Sequence, residues 1–135
     1  MMDDQTAIRE LLVGYALALD AGDIDQCVQL FVPDAEFLVY GRSFAGHDCI
    51  GKMFRDAPRG LHLTGVSRID VCDDTATARS QVLFVRAGDL QLRPALYDDE
   101  LVRDPIDSGR WRFRRRRCQF VTSRGLSDSP EVPSS

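Results

Sequence analysis

Apolar positions recur at three- and four-residue spacing near the start of the chain: Ile8, Leu11, Leu12, Tyr15 and Leu19. That spacing predicts a helix with one apolar stripe. Asp3, Asp4 and Glu10 lie toward its positive N-terminal end. Gly22 supplies a stop, and Asp23 followed by Gln26 predicts a capping box that opens a second helix. This second helix is expected to pass through Cys27, Val28, Leu30 and Phe31 and to end before Pro33. A short strand is predicted over 35–40, then a turn or second strand over 41–46. Ile50, Met53 and Phe54 form the inner face of a third short helix, closed by Ala57-Pro58-Arg59-Gly60.

From Leu61 onward the period changes to two. Strands are predicted over 61–71, 75–87, 90–102 and 111–122, separated by Asp73-Asp74, Gly88-Asp89 and a longer connection containing Pro105. Pro94 inside the third of these predicts an edge position or a bulge. Simple alternation on the last strand places Trp111, Phe113, Arg115, Arg117 and Gln119 on one face. Arg112, Arg114, Arg116, Cys118 and Phe120 fall on the other. Helices first and an antiparallel four-strand meander afterwards give an α+β class, with helices packed on one face of a curved sheet.

Length and composition bound the rest. The chain has 135 residues, 44% hydrophobic and 28% charged, which fits one domain over 1–126 with a polar, flexible tail over 127–135. No apolar run approaches the length of a membrane span, and the N-terminus lacks the basic flank and apolar core of a signal peptide, so a cytoplasmic protein is expected. The net charge of −4 argues against nucleic-acid binding by bulk charge. The run Arg114–Arg117 reads as a solvated strand face paired with aspartates, although Arg115 or Arg117 could reach a cavity and hold an anionic group. Cys27, Cys49, Cys72 and Cys118 are widely spaced and are expected to be buried free thiols, not metal ligands.

No phosphate-cradling loop, dinucleotide fingerprint, zinc-protease motif or nucleophile elbow occurs, so no cofactor or metal is expected. Chemistry by ordinary side chains favours proton transfer, for which histidine is best suited near neutral pH. His47, at the start of the third helix, reads as a surface residue. His62 lies on a strand an apolar core should cover, and its position fits a core histidine with a backbone partner as well as a base. Asp20 ends the first helix behind four apolar residues. It could orient the His62 ring or simply solvate the interhelix turn with Asp23.

In order, Ile8-Arg9-Glu10-Leu11-Leu12, Tyr15 to Asp20, Phe31 to Phe37, Leu61-His62-Leu63-Thr64, Asp73 to Ser80, Tyr97 to Arg103 and Gly109 to Phe113 form a specific pattern. The chain thereby resembles the nuclear transport factor 2-like superfamily, in its SnoaL-like branch, over about residues 5–122. The resemblance implies a cone-shaped curved antiparallel sheet whose N-terminal helices close a deep, mostly apolar pocket. It implies Asp20 and His62 as a catalytic dyad, since both fall on the positions used by eliminating members, and Tyr15 as a donor to a substrate oxygen. Leu19 departs from scytalone dehydratase, which has a tyrosine there, so that enzyme's water-bridged chemistry is not implied.

The expectation is a cofactor-independent lyase or isomerase acting on a hydrophobic cyclic small molecule such as a steroid, polyketide or terpenoid. Phe31, Phe37, Leu38, Met53, Phe54 and Phe84 are candidates for the pocket wall, and Tyr40, Tyr97 and Arg115 for substrate contacts. An aldol-type polyketide cyclase is an alternative with the same base. A second alternative is a non-catalytic binding or assembly subunit, like the small subunits of ring-hydroxylating dioxygenases. A homodimer is expected, because an open sheet leaves a face and edges to cover.

Overall fold

The computed structural model describes residues 2–106 and 109–132. The middle of the 103–110 connection and the last residues of the expected tail lie outside them. Helix α1 (Asp4–Asp20) is capped by Asp3, whose side chain accepts from the Thr6 amide, and it buries Ile8, Leu11, Leu12, Tyr15 and Ala18. It stops in a reverse turn at Gly22 (φ 80°), with the Asp23 amide bonded to the Ala18 carbonyl and the Gly22 amide to that of Leu19. Asp23 then caps α2 (Ile24–Val28) through the Gln26 amide, as the capping signal predicts.

The second helix is shorter than expected. Phe31 opens strand β1 (Phe31–Val39) instead of closing α2, and Pro33 sits inside that strand. The ladder from β1 to its neighbour is interrupted between Phe31 and Glu36, so the proline's missing N–H falls where no regular pairing is required. A two-residue turn, Tyr40-Gly41, with φ of 58° and 68°, leads into β2 (Arg42–Ala45). Helix α3 (Gly46–Asp56) follows, with Ile50 and Phe54 buried as predicted and Met53 partly buried against the core.

Strands β3 (Gly60–Cys72), β4 (Thr75–Arg86), β5 (Leu92–Asp104) and β6 (Arg110–Thr122) form the predicted antiparallel meander. A short β7 (Gly125–Ser127) returns along β6, and Glu131 accepts from the Ser123 amide farther along. The sheet order is β2-β1-β6-β5-β4-β3, with β7 also on β6. The expectation of a purely antiparallel sheet is corrected here, because β1 runs parallel to β6. That pairing is possible because the chain returns to β6 only after four further strands and α3. Bulges in β3 near residue 65 and in β6 at Arg114 bend the sheet around the helices. Pro94 faces β4 at Leu83 but lies just beyond the β6 pairing, which starts at Ala95.

The bulge in β6 overturns the simple alternation. Glu100 faces Arg115 while Leu101 faces Phe113, so Arg114 is the extra residue. Every side chain after it swaps faces. Trp111, Phe113, Arg116, Cys118 and Phe120 are therefore buried, and Arg115 and Arg117 lie on the outer face. Arg115 pairs there with Glu36 and Arg79 with Asp98. The adjoining part of the same face is apolar, with Leu61, Leu63 and Val121 exposed. Among the described residues, no helix is long and apolar enough to cross a membrane.

The cysteine expectation is only half right. Cys27 and Cys118 are buried, and burial pushes them up to about 12 and about 11, so they remain thiols. Cys49 and Cys72 are exposed. His47 is also not a plain surface residue. Its Nε2 lies 2.8 Å from the Phe31 carbonyl and ties α3 to the start of β1.

Candidate active site

The inner face of the sheet, α1 and α3 enclose one apolar cavity of about 760 Å³ of empty space, counting its open mouth. Its floor is aromatic. Phe37 and Phe54 meet edge to face at 5.6 Å, and Tyr15 packs against Phe54 at 6.0 Å. Tyr15, Phe37, Tyr40, Met53, Phe54, Phe84 and Tyr97 all line the cavity. Of the residues expected there, Arg115 and Leu38 point to the outer face, and Phe31 is fully buried beneath the lining.

Asp20 and His62, 42 residues apart in sequence, meet at the edge of this cavity. The His62 backbone amide donates to Asp20 Oδ2 at 2.7 Å, and the ring Nδ1 lies 2.6 Å from Oδ1. The carboxylate thus holds both the strand and the ring. An Asp acceptor at Nδ1 places the proton there and leaves Nε2 with its lone pair. Among the described residues nothing hydrogen-bonds Nε2, and His62 lines the cavity. Asp20 also faces the negative end of α1, an unfavourable place for a carboxylate that these two bonds offset. Arg59 approaches the same helix end, its Nη2 3.4 Å from the Asp20 carbonyl.

Burial lowers the pKa of His62 below its usual value, and the Asp20 hydrogen bond only partly opposes this. The imidazole is therefore neutral near pH 7 and able to accept a proton. Its ring rests on Phe84, with centroids 4.7 Å apart. Gly60 makes that packing possible, because a Cβ there would lie 2.7 Å from the Phe84 ring and 2.3 Å from the Val85 carbonyl oxygen. Gly60→Ala is expected to destabilise the fold by roughly 1–3 kcal/mol in a urea titration, through overpacking. An unchanged midpoint would show that both the Phe84 ring and the backbone at Val85 give way without cost.

Two residues that the sequence reading did not single out lie under the floor. Arg116 and Asp99 are 2% and 3% exposed and form an ion pair at 3.1 Å. The Arg116 guanidinium sits 4.2 Å from the Tyr15 ring centre and 4.3 Å from that of Tyr97. Burial pushes the Asp99 carboxyl up to about 7 against the pull of Arg116. Burial also raises both phenols well above their ordinary value, so Tyr15 and Tyr97 stay protonated and can donate. Asp99 was detectable in the sequence, since it alternates with Tyr97 and Leu101 on the inner face. A buried aspartate at such a position needs a cationic partner. The partner was hidden by the bulge.

The sequence model of the SnoaL-like domain matches residues 1–117. No curated protein matches the chain. Among solved structures, an NTF2-like protein with a cystatin-like fold from Novosphingobium aromaticivorans is 26% identical with a TM-score of 0.79, over 89% of this chain and 83% of that one. A candidate scytalone dehydratase from the same species is 24% identical with a TM-score of 0.75, over 98% and 91%. A ketosteroid isomerase-like protein from Erwinia carotovora atroseptica is 16% identical with a TM-score of 0.73, over 90% and 99%. The latter two are likenesses of fold. With the sheet, the helices and the cavity in this arrangement, and the match spanning most of its length, the chain belongs to the SnoaL-like domain family, within the NTF2-like superfamily.

Proposed function

We propose that the protein is a lyase or isomerase that uses His62 as a general base on a hydrophobic cyclic small molecule. The observation that carries this reading is the two-point hold of Asp20 on His62, with the free ring nitrogen at an apolar cavity. His62 Nε2 takes a proton from a carbon next to a carbonyl. The C–H electron pair becomes the C=C bond of an enolate as the carbonyl π pair moves to oxygen, and the Tyr15 hydroxyl donates to that oxygen. Asp20 stabilises the imidazolium. If a β-hydroxyl is present, the enolate collapses, the C–O bond breaks, and the departing oxygen takes the proton from His62 and leaves as water. Without one, the imidazolium returns the proton at another carbon and the double bond moves.

The experiment is deuterium uptake from D₂O into bicyclic ketones such as 2-tetralone, followed by proton NMR with wild-type protein and without it. Uptake above the buffer rate that depends on His62 supports the reading; uptake no faster than buffer across a panel of such ketones sinks it. The pH profile of kcat/KM is a further expected result. The neutral imidazole is the active form, so activity falls as pH drops through the His62 pKa. Because burial lowers that pKa, the fall is expected below the usual histidine value of about 6.5, with a plateau at neutral pH. A midpoint above the usual value would contradict the desolvated environment of the ring.

A further inference from the structure

Three inward-facing residues lie side by side across the sheet. His62 on β3 faces Phe84 on β4, and Phe84 faces Arg93 on β5. All three line the cavity. Adjacent strands are about 4.8 Å apart, so the base and the arginine are separated by about 10 Å of sheet with an aromatic ring between them.

Arg93 is an unusual residue for an inner sheet face. It has no ion-pair partner among the described residues, and its Nε is buried with no hydrogen-bond partner. Its one bond there is from Nη1 to the Tyr40 hydroxyl, at 3.3 Å. Tyr40 is in turn held by the left-handed turn before β2 and by stacking on Phe120, with ring centres 5.5 Å apart. The guanidinium is thus positioned but not neutralised. Among the described residues the only carboxylate lining the cavity, Asp20, is already bound to His62. A half-buried cation without a counter-ion is costly, and an anionic ligand group would satisfy it.

We propose that the ligand of this cavity is an amphipathic ring acid. Its apolar rings lie over Phe84, its carboxylate is bound by Arg93, and its reacting carbon is directed to His62. The orientation rests on the proton-abstraction reading given above; the anion preference does not. Binding the remote carboxylate fixes which carbon meets Nε2, a use of binding energy far from the reacting bond.

The test compares 2-naphthoate with the neutral 2-naphthamide, followed through the NMR signals of the His62 ring. His47, which bonds the Phe31 carbonyl, provides an internal control. The wild-type protein is expected to bind the acid about tenfold tighter, the size of one charge-assisted contact. Arg93→Gln should bring the two affinities together by weakening the acid alone, and Arg93→Lys should keep most of the preference. Equal wild-type affinities, a preference that survives Arg93→Gln, or probes that leave the His62 ring unshifted would each overturn the inference. An anion preference with no His62-dependent proton exchange would instead remove the catalytic reading and leave the anion site standing.

Discussion

His62→Ala should lower proton exchange on a bound ketone by about 10²–10⁴, the usual contribution of a positioned general base. Among the described residues the ring is the only group lining the cavity with a free basic nitrogen that is neutral near pH 7. Asp20→Asn should produce a loss of similar order by a different route. An amide side chain can donate to Nδ1, which would place the imidazole proton on Nε2, the wrong nitrogen for a base. The two residues work as one unit, so the double variant should be little worse than His62→Ala alone. Circular dichroism would show whether each variant stays folded, because His62 also packs on Phe84. A folded His62→Ala protein within a few-fold of wild type would end the proposal of His62 as the base.

The second large effect concerns stability. Asp99→Ala leaves the Arg116 guanidinium buried, stacked on Tyr15 and Tyr97 and without its counter-ion. Arginine cannot shed its proton, so the uncompensated charge persists. Breaking such a pair costs about 3–5 kcal/mol, which at this chain length is roughly 10–20 °C in Tm. Arg116→Met should cost less, since Asp99, already raised to about 7, can take up a proton and become neutral. The order of the two variants is the informative result, read by thermal denaturation at pH 7. If Arg116→Met is the more damaging, aromatic stacking by the guanidinium outweighs the charge, and the account of the pair is wrong.

Much of the fold was legible in the sequence because it rests on local rules. The three- and four-residue stripe of α1, the capping aspartates at Asp3 and Asp23, and the period of two from Leu61 onward each act over a few neighbouring residues. The aromatic lining was legible for the same reason, since alternation places Phe37, Phe84 and Tyr97 on the inner face. The sequence also brought forward Asp20 and His62, one as a carboxylate at a helix end and one as a histidine between apolar strand residues. From the residues alone their pairing was one of two readings of Asp20, and it was the family resemblance that implied the dyad.

Three features were decided only by the tertiary structure. The Asp20–His62 hydrogen bonds join residues 42 apart, and their 2.6 Å separation depends on how α1 crosses the start of β3. The single extra residue at Arg114 reversed the faces of β6, replacing Arg115 with Arg116 as the inward arginine. The lateral row from His62 through Phe84 to Arg93 exists only in the strand register. The physical reason is common to all three. Secondary structure and burial pattern follow from interactions between near neighbours, whereas a site is set by register and bulges. Those are fixed by the best packing of the whole sheet, and a one-residue slip, invisible to any local period, changes which side chains face the cavity.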